Sequence, residues 1–311
     1  MGVMVAVSDT QSKADRLLCS IESIEAGEQL VGTAPRADAW FLLEYPGRWA
    51  NKAFKESSIP EEVKNHLNAQ LKQIPESRLL LIKQSTTEHA GISFFAALPK
   101  SGQSALYQFQ LNDYAGLLEL DLRTIIAQDA RFEAARSEEP LFVMCTNGLR
   151  DKCCALHGAA TYGALAGAFP GLVWESTHHG GHRFAANFLH LPYGISYGRL
   201  RPQSAGEVLQ MALGGRIAFY HYRGRTIYEG PVQAAEVLLR RGIGIEGVDA
   251  LTLRLSEDLG GGQWRVQFAG VDEAFEIVVQ RTESDAQVHL SCREEDLSPV
   301  VEYSLVEQKI L

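Results

Sequence analysis

The stretch from Cys145 to His182, CTNGLRDKCCALHGAATYGALAGAFPGLVWESTHHGGH, constrains this chain more than any other part of it. Three of the five cysteines and four of the nine histidines fall inside these 38 residues. Cysteine and histidine supply thiolate and imidazole, the soft and borderline metal ligands. Here they form two clumps, Cys145/Cys153/Cys154 and His178/His179/His182, separated by a helix-length segment. The pattern predicts a metal site closed from two loops, with the remaining chain as its scaffold.

At 311 residues the chain can bury a large core, and its length suggests two or three domains. A hydrophobic fraction of 46% and a charged fraction of 22% are ordinary for a soluble globular protein. The formal net charge of -9 argues against nucleic acid as a partner, because phosphate binding needs a basic face, and suits docking to a basic partner. The N-terminal MGVMVAVSDTQSKADRLLCS has neither an apolar core of signal length nor a basic leader, and no run approaches the roughly 18 apolar residues of a membrane helix. A soluble, cytoplasmic protein with no membrane partner is expected. In a reducing compartment an odd, clustered cysteine set means metal or redox chemistry before disulfides.

In chain order the patterns predict a helix over Ser12–Ile24 carrying Cys19, a strand over Trp40–Glu44 and a helix after Pro60. A strand over Arg78–Lys83, a hairpin of Ile92–Leu98 with Ala105–Leu111 and a helix over Leu117–Ala135 follow. The order then repeats: strand Leu141–Cys145, helix Ala155–Phe169, strand Leu172–Glu175, hairpin Asn187–Leu191 with Ile195–Leu200, helix Ser204–Leu213. A βαβ unit followed by a hairpin and a helix is the thioredoxin-like plan. The expected class is α/β (α+β), with tandem thioredoxin-like units and a β-rich C-terminal part. The divisions are 1–136 without ligands, 137–215 with the metal site, and 216–311. That last part combines a helix over Val232–Arg241 with strands Leu251–Leu255, Gln263–Phe268, Ala274–Gln280, Gln287–Cys292 and Val300–Leu305.

In such a unit the loop after the first strand holds reactive cysteines, and the helix N-terminus behind it favours thiolate. Cys145 ends a strand and Cys154 opens a helix, while THHGGH follows the next strand. Gly180 and Gly181 remove side chains beside the site. Cys153 competes with Cys154, and His179 with His178. Adjacent cysteines do not readily ligate one small cluster together, so Cys153 is read as a helix-start neighbour. Cys19 and Cys292 are read as packing residues. The histidines at 66, 89, 157, 190, 221 and 289 are scattered and read as hydrogen-bonded or solvated. Trp174 is read as core. Gly242, Gly244 and Gly247 spell GxGxxG, but after a helix, which argues against a dinucleotide loop.

CTNGLRDKCC, followed by WESTHHGGHRFAANFLHLPYGISYGRL, resembles the sucrase/ferredoxin-like family. The resemblance takes in CSIESIEAGEQLVGTAPRADAWFLLEYPG and YRGRTIYEGPVQAAEVLLR, and so most of the chain. It implies a thioredoxin-like ferredoxin in which histidines replace the second pair of cysteines. The family's Cys, eight residues, Cys falls on Cys145 and Cys154, and its His, any residue, Gly-Gly, His falls on His178 and His182. The resemblance thus implies one [2Fe-2S] cluster on these four residues, with no catalytic residue, and protein redox partners. Asn147 stands where the family commonly has His, and an amide cannot titrate. Arg150, Asp151 and Arg183 flank the ligands as candidate hydrogen-bond donors or acceptors around them. No pair of carboxylates is placed for glycoside hydrolysis. An electron carrier is the first reading, more than an enzyme. A structural zinc protein on the same set and a thioredoxin-like thiol oxidoreductase using Cys153 or Cys154 remain beside it.

Overall fold

The computed structural model describes residues 18–84 and 90–311; the start of the expected helix Ser12–Ile24 and His89 lie outside them. The first half runs α1 (Cys19–Glu25), β1 (Ala39–Glu44), α2 (Ala53–Glu56), α3 (Glu61–Leu71), β2 (Ser77–Lys83), β3 (Ile92–Leu98), β4 (Ala105–Leu111), α4 (Leu122–Ile126) and a two-residue β5 (Arg136–Ser137). The second runs β6 (Leu141–Cys145), α5 (Ala160–Ala168), β7 (Val173–Ser176), β8 (Phe188–Leu191), β9 (Ile195–Tyr197), α6 (Pro202–Leu213) and β10 (Tyr222–Arg225). All ten strands join one sheet in the order β10-β9-β8-β6-β7-β2-β1-β3-β4-β5.

The repeat of element order is a repeat of sheet order. β1 lies parallel to β2 on one side and antiparallel to β3 on the other, with β4 beyond. β6 stands in the same relation to β7, β8 and β9. The halves meet through a short antiparallel contact of β2 with β7, pairing Ile82 with Ser176 and Lys83 with Glu175. Every residue of β1 is buried, because strand alternation sends Phe41 and Leu43 into one core and Trp40 and Leu42 into another on the opposite face. Trp174 belongs to that second core, edge-on to Phe95 with ring centroids 5.7 Å apart, as its reading as a core residue expects.

The C-terminal part is α7 (Gly230–Ile243) with a four-stranded antiparallel sheet of β11 (Thr252–Gly260), β12 (Gln263–Ala269), β13 (Ala274–His289) and β14 (Leu297–Ile310). Val232, Ala235 and Leu239 of α7 pack against Val266, Phe268, Ile277 and Val279 of the sheet. The chain is therefore mixed α/β with a β-rich C-terminal sheet. Among the described residues no helix is long and apolar enough to cross a membrane.

Three expectations are corrected. The helix expected over Leu117–Ala135 is broken into short turns, because Asp121 and Asp129 each accept the backbone N–H two residues on and start a new turn. Ala274–Gln280 and Gln287–Cys292 are one strand, β13; the polar run between them makes a register shift between Glu283 and Gln287 instead of a turn. Cys292 lies past the end of that strand. β10 was not expected, since YRGR carries two arginines and a glycine.

The arginines of β10 are buried because they are partnered. Glu236 of α7 accepts from Nε of Arg225 at 3.1 Å, Nε of Arg240 at 2.9 Å and the Tyr222 hydroxyl at 2.9 Å. Arg240 also donates to the carbonyls of Ile245, Gly247 and Val248. Burial pushes the Glu236 carboxyl up, but the two guanidiniums more than offset it, so its pKa lies below the ordinary value. This contribution is complete above the unfolded carboxyl pKa and is lost as pH falls through the lower folded value. Glu236→Ala leaves two buried guanidiniums unpaired and should cost about 3–5 kcal/mol. Urea unfolding at neutral pH checks this, and the deficit relative to wild type should shrink in acid.

Candidate metal centre

β6 and β7 are parallel neighbours, with Cys145 in register with Ser176. The loops that follow them therefore leave the same edge of the sheet side by side. Thr146 N–H donates to the Ser176 carbonyl at 3.1 Å, which keeps the two exits together. Thr177 is tied to β2 twice: its N–H donates to the Leu81 carbonyl at 2.8 Å, and its hydroxyl accepts the Leu81 N–H at 3.0 Å. The residue before the first histidine is thus anchored to the sheet.

Cys154 enters through a helix that runs from Lys152 into α5 and is π-helical over Cys154–Ala159. A π turn is rare and is found mostly at functional sites. The helix lies so close to the end of β6 that a Cβ on Gly158 would collide with the Cys145 carbonyl oxygen. On the other loop Gly180 and Gly181 take φ of 121° and 75°, which a side chain resists. A turn over His182–Phe184 follows.

These elements bring the expected ligands to one point. Donor atoms of Cys145, Cys154 and His178 lie within 4.8 Å of one another. Cys145 Sγ is 3.9 Å from His178 Nδ1, and Cys154 Sγ is 3.5 Å from His182 Nδ1. The two imidazoles stack at 3.6 Å between centroids. Cys145, Cys154 and His182 are buried and His178 is half-buried.

Ligation needs thiolate and neutral imidazole; Cys145 and the two imidazoles are biased toward those forms, whereas Cys154 would give up its proton as a metal binds. The Cys154 thiol and the backbone N–H groups of Asn147 and His179 hold Cys145 below the ordinary thiol value, and Cys154 in turn keeps its proton. Burial pushes His182 down to about 4, partly opposed by Asp151, and pushes His178 down further, helped by His182.

His179 is fully buried, and both it and His182 lie outside this group of three donor atoms; His182 differs in having its Nδ1 3.5 Å from the Cys154 sulfur. Cys153 turns away from Cys154 toward Cys19 and Cys292. Asn147 anchors the loop: its Nδ2 donates to the Ala50 carbonyl, and its Oδ1 accepts the Arg150 N–H. Arg150 donates to Asn51, Asp151 accepts from the N–H groups of Cys153 and Cys292 and from the Cys19 thiol, and Arg183 donates to Glu28. Their place is the frame around the ligands. Gly244 is the left-handed cap that ends α7, so the GxGxxG belongs to a helix terminus. His157 meets Ser20, His221 the Gly198 carbonyl and His289 the Glu22 carboxylate.

Arg223 of β10 lies outside both ligand motifs, yet it positions the second of them. Its guanidinium is buried; it donates to the Gly180 carbonyl at 3.2 Å, Asn187 Oδ1 at 2.8 Å, and the hydroxyl and carbonyl of Thr33. Asn187 Nδ2 donates to the Gly181 carbonyl at 2.7 Å. Arg223 therefore holds the GTAP segment against the histidine loop. Burial pushes it down to about 9, which leaves it charged at neutral pH. The signal available beforehand was its place in the family-like YRGR segment, where two arginines flank a glycine.

A sucrase/ferredoxin-like family profile matches residues 30–224, more than half of the chain, and the protein belongs to that family. No match was found among curated proteins or among solved structures.

The contact between Gly158 and Cys145 is tested by two alanines in one helix. Gly158→Ala should cost about 1–3 kcal/mol by overpacking and reduce bound metal. Gly163→Ala, which meets nothing within 4 Å, should stabilise the chain by roughly 0.5–1 kcal/mol and leave metal content unchanged. Thermal unfolding with metal analysis on both variants reads the difference.

Proposed function

We propose that this protein is a one-electron carrier holding a [2Fe-2S] cluster on Cys145, Cys154, His178 and His182, in the second of two thioredoxin-like units. The observation that carries the reading is the convergence of two buried cysteines and two imidazoles held neutral at the ends of two parallel strands. The family to which the chain belongs supports it. When bound, such a cluster supplies single-electron exchange.

Each residue has a part in that exchange. Cys145 and Cys154 carry the negative charge of the ligand set. Two neutral imidazoles in place of two further thiolates leave less negative charge, which favours the reduced state. The N–H groups of Asn147 and His179 draw charge from the Cys145 sulfur and raise the potential further. Burial of three of the four ligands excludes water, and half-buried His178 offers the edge that a redox partner approaches. The partners are proteins, met in the cytoplasm.

Absorption, iron and acid-labile sulfide on one freshly purified sample test this. Visible bands with two irons and two sulfides per chain are expected. Cys145→Ser should abolish them, and His182→Cys should keep a cluster with a potential lower by on the order of 100 mV. A colourless protein with one zinc at these four residues would replace the reading with a structural site.

A further inference from the structure

Cys19, Cys153 and Cys292 come from the start of α1, the helix that carries Cys154, and the turn after β13. Their sulfurs form a nearly equilateral triangle: 3.5 Å from Cys19 to Cys153, 3.4 Å from Cys153 to Cys292 and 3.5 Å from Cys292 to Cys19. Asp151 closes the group, with Oδ1 3.9 Å from the Cys19 sulfur. Its Oδ1 accepts the Cys153 N–H and its Oδ2 the Cys292 N–H, each at 2.8 Å. All four donor atoms lie within 4.8 Å of one another. Asp151 and the cysteines at 19 and 153 are buried, and Cys292 is half-buried.

We propose that Cys19, Cys153, Cys292 and Asp151 form a second metal site that binds one zinc ion and ties the N-terminal helix and the C-terminal sheet to the loop of the first site. Tetrahedral zinc with Zn–S of about 2.3 Å places its sulfurs about 3.8 Å apart, a few tenths of an ångström from the spacing seen. A disulfide would require one pair to close to about 2.05 Å and would leave the third sulfur without a role. An iron-sulfur cluster distributes its cysteines over several irons, so three mutual sulfur contacts suit a single ion. Arg201, which donates to the Ala185 carbonyl beside these cysteines, supplies positive charge next to the anionic ligands. Zinc takes the place of the thiol protons, which leave to solvent, so uptake strengthens as pH rises. The ligands stand 134 and 139 residues apart, so the ion bridges segments that the chain itself joins only through long loops.

The test is iron and zinc analysis of the full chain purified anaerobically under reducing conditions. One zinc per chain is expected beside the iron. Cys292→Ser should lose the zinc and keep the iron and its visible spectrum, whereas Cys145→Ser should do the reverse. X-ray absorption at the zinc edge of wild-type protein should show three sulfurs and one lighter atom, which decides the matter even if Cys292→Ser does not fold. The proposal is overturned by wild-type protein that takes up no zinc against a chromogenic chelator. It is equally overturned by a disulfide among these cysteines under the same conditions, or by zinc that Cys145→Ser removes and Cys292→Ser retains. Protein with zinc at this site and no iron would refute the electron-carrier reading alone.

Discussion

The parallel pairing of β6 with β7 is the constraint on which the candidate metal centre depends. Parallel neighbours end on the same edge of a sheet, so whatever follows each of them emerges beside the other. The register that sets Cys145 opposite Ser176 brings residues more than thirty positions apart to one place. The connection between the strands must then be a crossover, and here its helix delivers Cys154. Two of the four proposed ligands thus come from the strand end and its crossover helix, and the other two from the next loop. β1 and β2 repeat the same pairing in the first half, but no cysteine follows β1 or lies in its crossover, so the two halves share a frame while the second alone offers thiol donors there.

Around that edge a second layer of residues decides where the loops stop. Arg223 reaches from β10 to the carbonyl of Gly180, to Asn187 and to Thr33, joining three segments that are distant in sequence. Gln233 continues the link by bonding both the N–H and the carbonyl of Ala34. A buried guanidinium with its donors satisfied by carbonyls and an amide is a rigid strut, because any shift of the loops would strand a desolvated charge. Much of what is family-like outside the ligand motifs, the GTAP and YRGR segments in particular, serves this positioning.

Cys153 and Cys154 are neighbours that face different groups. One residue of helical rotation is about 100°, so adjacent side chains cannot share a small centre without distortion. The helix turns that restriction to use: Cys154 meets His182, and Cys153 meets Cys19 and Cys292. Asp151, two residues before Cys153, pins the backbone of Cys153 and of Cys292 at once. The start of this helix is therefore the point where the N-terminal helix, the large sheet and the C-terminal sheet meet.

The sequence by itself determined the strands around the ligands, because short apolar runs such as LFVMC and WFLLE bounded by turn residues have one physical reading. It also determined that Cys145, Cys154, His178 and His182 belong to one motif, since their spacing is local and resembles that of a known family. Local patterns overreached where short polar side chains compete with backbone hydrogen bonds, as at Asp121 and Asp129, and where long pairing with β14 carried β13 through a polar run. Only the tertiary structure decided the role of Arg223, the pairing of Arg225 and Arg240 with Glu236, and the meeting of Cys19 and Cys292 with Cys153. Those contacts join residues that are up to 273 positions apart. No periodicity or spacing connects such positions; what brings them together is the packing of α1 and α7 against the C-terminal sheet and the burial of charge that must find a partner.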